Sequence, residues 1–361
     1  MKKIVVKIGS SVIASEGKLD PQLISRIVKD ILAVEKKGYR VILVSSGAIA
    51  CGLGKLRQRR KPQDISSLTA ISSLGQIILM DVFNEKFKKY RRVCAQILLT
   101  WGDFDDRKTF INIRQTIDKL LDMKIIPVIN ENDAISHEEI RVGDNDYLSA
   151  LLADLIGAQQ LIMLSDIEGL LDGERLVKEV RQIDERVEAL VKKQTRTHTS
   201  GGMDTKLEAA TKANLSGIRV RIADGRKKSV ISRIVDGEQI GTLFVPLEKV
   251  ERSRKRWIHS KKIKGSITVD EGAKEALLNK GKSLLGVGVV EATSGFRKGD
   301  AVAVVDSQGN VLGCGLTNYN SEDFSCAKGK KFDKEVIHRD NFVKSTKGWT
   351  YHPYRRFSKK K

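Results

Sequence analysis

Five short segments hold most of the side chains that could handle charge in a chemical step, and each follows a run rich in Val and Ile or opens a helix. The first is Val5-Val6-Lys7-Ile8-Gly9-Ser10-Ser11. A lysine near the end of an apolar strand is costly to bury unpaired. Gly9 and Ser10 behind it allow close backbone approach and offer N–H groups to an anion. An edge lysine with its head in water is the competing reading. The second, Val44-Ser45-Ser46-Gly47-Ala48-Ile49-Ala50, passes from strand to helix through small residues. That leaves free N–H groups at a helix N-terminus, a place for a carboxylate or phosphate, although an ordinary tight turn reads the same way. The third is the richest: Ile129-Asn130-Glu131-Asn132-Asp133, then Arg141-Val142-Gly143-Asp144-Asn145-Asp146. Its carboxylates and amides invite a cationic partner, whether a substrate ammonium, a magnesium complex or the lysine above. The spacing fails the EF-hand pattern. Asp146 also stands where it can cap a helix expected from Tyr147. The fourth, Leu164-Ser165-Asp166, ends another strand. The fifth, Thr199-Ser200-Gly201-Gly202-Met203-Asp204-Thr205-Lys206, precedes an Ala-rich helix. Glycines, hydroxyls and a lysine at a helix start suit a polyphosphate, with a loop carrying an incidental lysine as the alternative.

Other chemistries lack their residues. Gly281-Lys282-Ser283 looks like the end of a P-loop, but position 276 is Ala and no strand precedes it, so a turn is expected. The protein-kinase signature set is missing. Five histidines are dispersed with no H-E-x-x-H, so neither a catalytic histidine nor a protein-ligated metal is expected. Cys51, Cys94, Cys314 and Cys326 form no C-x-x-C pair and read as reduced, mostly buried thiols.

The elements that must position these segments follow from the apolar pattern. At 361 residues the chain exceeds the usual size of one core. Strands are expected at Lys3–Ile8, Arg40–Ser45, Val93–Leu99, Ile125–Ile129, Gln160–Leu164 and Ile218–Ala223. Their apolar residues do not alternate cleanly, as in strands buried on both faces. Helices are expected at Pro21–Lys36, with Asp20 as cap and Pro21 in the first turn, and at Arg114–Met123 and Tyr147–Leu155. This βαβα rhythm predicts an α/β domain over 1–247 with a mainly parallel central sheet, and ligands beyond the carboxyl ends of its strands. The charged stretch 248–257 reads as a linker or helix end. Short runs separated by glycines then predict a small, mostly β domain over 258–343. Residues 344–361 read as a basic, flexible tail. The net charge is +20, and residues 251–361 hold 24 Lys+Arg against 12 Asp+Glu, so the excess is concentrated there. Such charge favours phosphates, of nucleotides or of nucleic acid, but is also compatible with a solvated surface. No apolar run is read as approaching the roughly 20 residues of a membrane span, and Met1-Lys2-Lys3 opens no signal sequence, so a cytoplasmic location is expected.

Taken in order, VVKIGSSV, SSGAIA, IIPVINENDA, VGDNDYLSA and GGMDTK resemble the amino-acid-kinase family, in the branch that phosphorylates free glutamate on its side-chain carboxylate. RKRWI and ITVDEGA continue the resemblance into a C-terminal part similar to a PUA domain, a fold otherwise seen in RNA-modifying proteins. The resemblance implies an amino-acid-kinase-like sandwich and catalytic roles for Lys7 and Lys206, flanking the transferring phosphoryl group, with Asp146 holding them. It implies glutamate binding by Ser46, Gly47, Asp133, Asn145 and Asp144. ATP would be held by Lys7, Gly9, Ser10, Ser165, Asp166, Ser200, Gly201, Gly202, Met203, Asp204, Thr205 and Lys206, with Mg²⁺ on its phosphates. It further implies proline as a competing inhibitor and a homodimer or homotetramer. Two departures stand out. Arg141 occupies the place of a lysine before VGDND, and the stretch between Asp166 and Gly201 is shorter than usual for the family. Two other readings stay open: a kinase of this fold with another carboxylate acceptor, and an RNA-binding protein using its C-terminal part.

Overall fold

A computed structural model of the chain describes residues 2–15, 18–58, 60–135, 144–195, 202–246, 253–261, 263–325 and 332–345. They fall into two compact units, Met1–Val250 and Glu251–Lys361.

In the first unit, eight strands among the described residues form one sheet: β1 (Lys2–Ile8), β2 (Tyr39–Ser45), β3 (Cys94–Leu99), β4 (Ile126–Glu131), β5 (Gln160–Ser165), β6 (Glu179–Val180), β7 (Arg219–Asp224) and β8 (Thr242–Phe244). Their order is β6-β8-β7-β5-β1-β2-β4-β3. Every pairing is parallel except that of β7 with β8. The sheet is mainly parallel, as expected, with β1 near its middle and Lys7 opposite Val44 of β2 and Met163 of β5. The expected strands agree with β1–β5 and β7 to within two residues at each end.

The helices are α1 (Pro21–Lys36), α2 (Ala48–Lys55), α3 (Ile65–Lys88), α4 (Arg107–Asp122), α5 (Asp144–Ile156), α6 (Glu185–Thr195), α7 (Met203–Leu215) and α8 (Val230–Val235). Asp20 caps α1 as its sequence implies, accepting from the N–H groups of Gln22 and Leu23. Two hydrophobic clusters divide the packing. Val5, Ile42, Ile129 and Met163 lie with α5 and α7 residues such as Leu152 and Ala210. Ile4, Val6, Leu43 and Ile162 lie with α1 and α3 residues such as Ile27 and Phe83. Neighbouring residues of one strand thus point into opposite cores, which is why the strand runs are apolar throughout.

Helix α3 corrects the membrane reading: by length and composition it is apolar enough to cross a bilayer. Here it packs Leu79, Phe83 and Phe87 into the core beneath the sheet, and it also buries Ser72 and Gln76. Its contact with α2 is close because both helices carry glycine. A Cβ on Gly75 would lie 1.7 Å from the Ala48 carbonyl oxygen, and one on Gly52 would lie 2.1 Å from that of Ile71.

The second unit holds α9 (Ser253–Ser260), α10 (Glu271–Leu278) and strands β9 (Ile263–Val269), β10 (Val289–Ala292), β11 (Ala301–Asp306), β12 (Val311–Leu316) and β13 (Phe342–Lys344). The strands form one sheet in the order β10-β9-β11-β12-β13, giving the expected small, mostly β architecture. Its core includes Ile267, Leu277, Val302, Val304 and Phe342. The stretch read as a linker or helix end lies partly outside the described residues. Its described portion falls in α9, whose Ile258 is buried against Cys314 and Val343.

Candidate active site

The carboxyl ends of β1, β2, β4 and β5 carry the first four chemical segments, and the start of α7 carries the fifth. Lys7, the penultimate residue of β1, is buried. Its ammonium lies 2.6 Å from Asp146 Oδ1 in α5. Lys206, in the first turns of α7, lies 3.4 Å from Asp146 Oδ2 and is likewise buried. The Thr205 hydroxyl is 2.8 Å from the same Oδ2. One carboxylate therefore joins two cations from elements far apart in the chain.

This arrangement replaces the cap reading of Asp146. Helix α5 begins at Asp144, so Asp146 lies inside its first turn and its carboxylate turns to the lysines. Burial alone would raise the Asp146 pKa, but Lys7, Lys206 and the Thr205 hydroxyl hold it below the usual carboxylate value. Burial pushes the Lys206 ammonium down from 10.5 against the pull of Asp146, and the Lys7 charge adds to the lowering.

Beside this triad lies an amide network. Asn145 Nδ2 donates to Ser46 Oγ at 3.0 Å and to Asn130 Oδ1 at 2.8 Å. The Glu131 N–H donates to Asn130 Oδ1 at 2.9 Å and to Asn145 Oδ1 at 3.2 Å. Asn130 Nδ2 in turn donates to Gln76 Oε1 of α3 at 2.7 Å. Ser72, one helical turn before Gln76, donates to Asp133 Oδ2 through its hydroxyl. Burial raises the Asp133 pKa, opposed by the Ser72 hydrogen bond and by the charge of Lys61. Gly47 takes φ +113° at the N-cap of α2, in the left-handed region that a side chain disfavours. That turn sets Ser46 at the end of β2.

The remaining candidates divide. Gly9 N–H donates to the Leu164 carbonyl at 3.0 Å, joining the ends of β1 and β5, and a Cβ at Gly9 would be 3.8 Å from the Lys7 ammonium. Ser165 Oγ is 3.2 Å from Asp166 Oδ1, and the Asp166 charge also acts on Lys206. Gly202 is the N-cap of α7. Met203 is packed in the hydrophobic core, so only its main chain faces a ligand role, while Ser10 and Asp204 are exposed. Ser200, Gly201 and Arg141 lie outside the described residues, as does the side chain of Asp144.

Sequence reasoning missed Ser72, Gln76 and Arg226. Arg226 donates to the Asp166 main-chain carbonyl and, through Nε, to Asp224 Oδ1 at 2.9 Å. Two polar residues four apart on the mostly apolar α3 were the available signal for the first pair.

A mainly parallel sheet with paired lysines at its carboxyl edge defines a phosphoryl-transfer class of site. Residues 2–224 match the amino acid kinase family and residues 265–338 match the PUA domain, and the chain belongs to the amino acid kinase family. It is 42% identical to the glutamate 5-kinase of Caldanaerobacter subterraneus subsp. tengcongensis over 97% of this chain and 99% of that protein. It is 40% identical to the glutamate 5-kinase of Thermoanaerobacter sp. over 94% of this chain and 97% of the other. The glutamate 5-kinase of Syntrophotalea carbinolica is 40% identical, with 95% and 97% covered.

Proposed function

We propose that this chain transfers the γ-phosphoryl group of ATP to the side-chain carboxylate of free glutamate, the opening step of proline synthesis. The observation that carries the reading is the single buried carboxylate of Asp146 between Lys7 and Lys206, adjoining the Ser46–Asn145–Asn130 network. A carboxylate is already a nucleophile near neutral pH, so the acceptor needs no general base. Its oxygen attacks the γ-phosphorus, the bond to the ADP oxygen breaks, and no proton need move. The work left to the protein is alignment and charge stabilisation.

In this reading Lys7 and Lys206 take up charge on the transferring group, and Asp146 orients both. Ser46, Gly47, Asp133, Asn145 and Asp144 form the glutamate pocket, with Asp133 facing the substrate ammonium. Gly9, Ser10, Ser165, Asp166 and residues 200–206 hold ATP. The clustered donors are ammonium and N–H groups suited to phosphate oxygens, and no three potential metal-ligating side chains gather among the described residues. Mg²⁺ would enter with the ATP complex and neutralise phosphate charge there. Proline, sharing the ammonium and α-carboxylate of glutamate, would compete at the same pocket. Assembly as a homodimer or homotetramer and a cytoplasmic location complete the reading.

The test is ATP consumption with magnesium and glutamate, trapping the acyl phosphate with hydroxylamine, with aspartate and acetylglutamate in parallel. A glutamate-dependent hydroxamate is the expected result. Turnover only with another carboxylate would overturn the substrate. Silence with every acceptor would favour the RNA-binding alternative.

A further inference from the structure

We infer that the C-terminal unit carries a separate phosphate-binding pocket, of about 260 Å³, lined by Lys255, Lys282, Arg339 and Lys344 above a floor of Leu277 and Phe342. The cations come from four places in the fold. Lys255 lies on α9, Lys282 in the turn after α10, Arg339 in the short helical turn Arg339–Asn341, and Lys344 at the end of β13. The walls are tied to one another before any ligand arrives. Arg254 Nε donates to Asn341 Oδ1 at 3.0 Å, and the Arg339 N–H donates to Ser283 Oγ at 3.0 Å. Lys344 donates to the Leu278 carbonyl at the end of α10. Gly281, at φ +58°, makes the turn that carries Lys282 to the rim. The floor is firm, because Leu277 and Phe342 belong to the buried core.

Charge balance selects the ligand. Asp340 is the carboxylate among the lining residues, 4.0 Å from Arg339 Nε. Among the described residues, neither Lys255 nor Lys282 has a carboxylate at ion-pair distance. Four cations around one concavity repel each other, and a compact multiply charged anion relieves that repulsion. Arg339 supplies a planar fork and the lysines supply point charges, a set that matches phosphate oxygens. Gly281-Lys282-Ser283 is thus the motif that failed as a Walker loop and fits here instead, with its lysine at a pocket and its serine holding the opposite wall. The phosphate can belong to a free phosphate ester or to a nucleic-acid backbone.

Equilibrium dialysis of labelled pyrophosphate against the full chain tests this. Lys206→Ala, which weakens the proposed ATP site, should still bind one pyrophosphate per chain. Adding Lys255→Glu and Lys282→Glu should weaken that binding by on the order of tenfold or more. In the otherwise wild-type chain, the same pair should leave glutamate-dependent turnover unchanged, separating failure of this pocket from failure of the kinase reading. Arg339→Gln, an exposed and milder change, checks the result should the double reversal perturb folding. Equal pyrophosphate binding with and without these changes would overturn the proposal. Displacement of bound pyrophosphate by a single-stranded RNA oligonucleotide would assign the pocket to backbone phosphates. Failure to displace it would assign the pocket to small phosphate esters.

Discussion

At the scale of single residues, the site is an exercise in burying charge without leaving it alone. Two ammoniums share the Asp146 carboxylate, and removing that carboxylate takes away the counter-charge that they have in common. Asp146→Asn should therefore lower stability by about 3–5 kcal/mol, read from urea unfolding midpoints, as well as abolish most turnover. A change in rate without loss of stability would mean that the lysines find other partners. Lys206→Ala should reduce turnover by about 10²–10³, the usual cost of removing a group that stabilises transition-state charge. The pH profile should carry both perturbed groups. Lys206 must stay protonated, and its pKa is depressed by burial, so activity should fall on the alkaline side below the ordinary lysine value of 10.5. Asp133 must be ionised to hold an ammonium, and burial raises its pKa above 3.8. The KM for glutamate should therefore rise as pH falls through a value above that of an ordinary aspartate. Asp133→Asn should raise KM throughout and remove this acid limb; an unchanged limb would assign it to another group.

At the scale of elements, six of the eight strands of the first sheet were legible, while the short β6 and β8 and the long helix α3 were not. A strand buried on both faces is a plain apolar run, and a chemical side chain at its end stands out, so Lys7, Ser46 and Asp166 could be found without knowing how the strands pair. Helix α3 was hidden because Ser66, Ser67, Thr69, Ser72 and Ser73 interrupt its apolar pattern. Polar residues on this helix have a use at two positions, where Ser72 and Gln76 reach Asp133 and Asn130. Asp146 could be read locally as a cap for a related reason: local sequence gives the helix start but not a partner lysine on a distant strand, and only the resemblance placed it with Lys7 and Lys206. Gly75 tests whether α3 helps to position the pocket. Its missing Cβ lets α3 lie against α2, so Gly75→Ala must push the helices apart, at a cost of about 1–3 kcal/mol typical of overpacking. Because Ser72 and Gln76 move with α3, the KM for glutamate should rise several-fold while that for ATP stays near its original value. Equal changes in both would place α3 in general support of the fold.

At the scale of the whole molecule, the chain has separate hydrophobic cores in its two units, with Trp101 in the first and Trp257 in the second. Ligands of the proposed kinase site should therefore act on one unit directly. A non-hydrolysable ATP analogue with magnesium at about 100 times its Kd stabilises the state that binds it by about 2.7 kcal/mol. Wild-type fluorescence should contain a transition that moves upward with the analogue. A Trp101→Phe chain, with the remaining tryptophans at positions 257 and 349, reports on the C-terminal part. If the units unfold independently, its transition should stay in place with the analogue and move upward with pyrophosphate, provided the basic pocket binds as inferred. A common shift in both signals would instead mean that the units unfold as one cooperative body. The PUA-like unit would then contribute stability to catalysis through that coupling, and ligands at either site would influence the other by thermodynamic linkage.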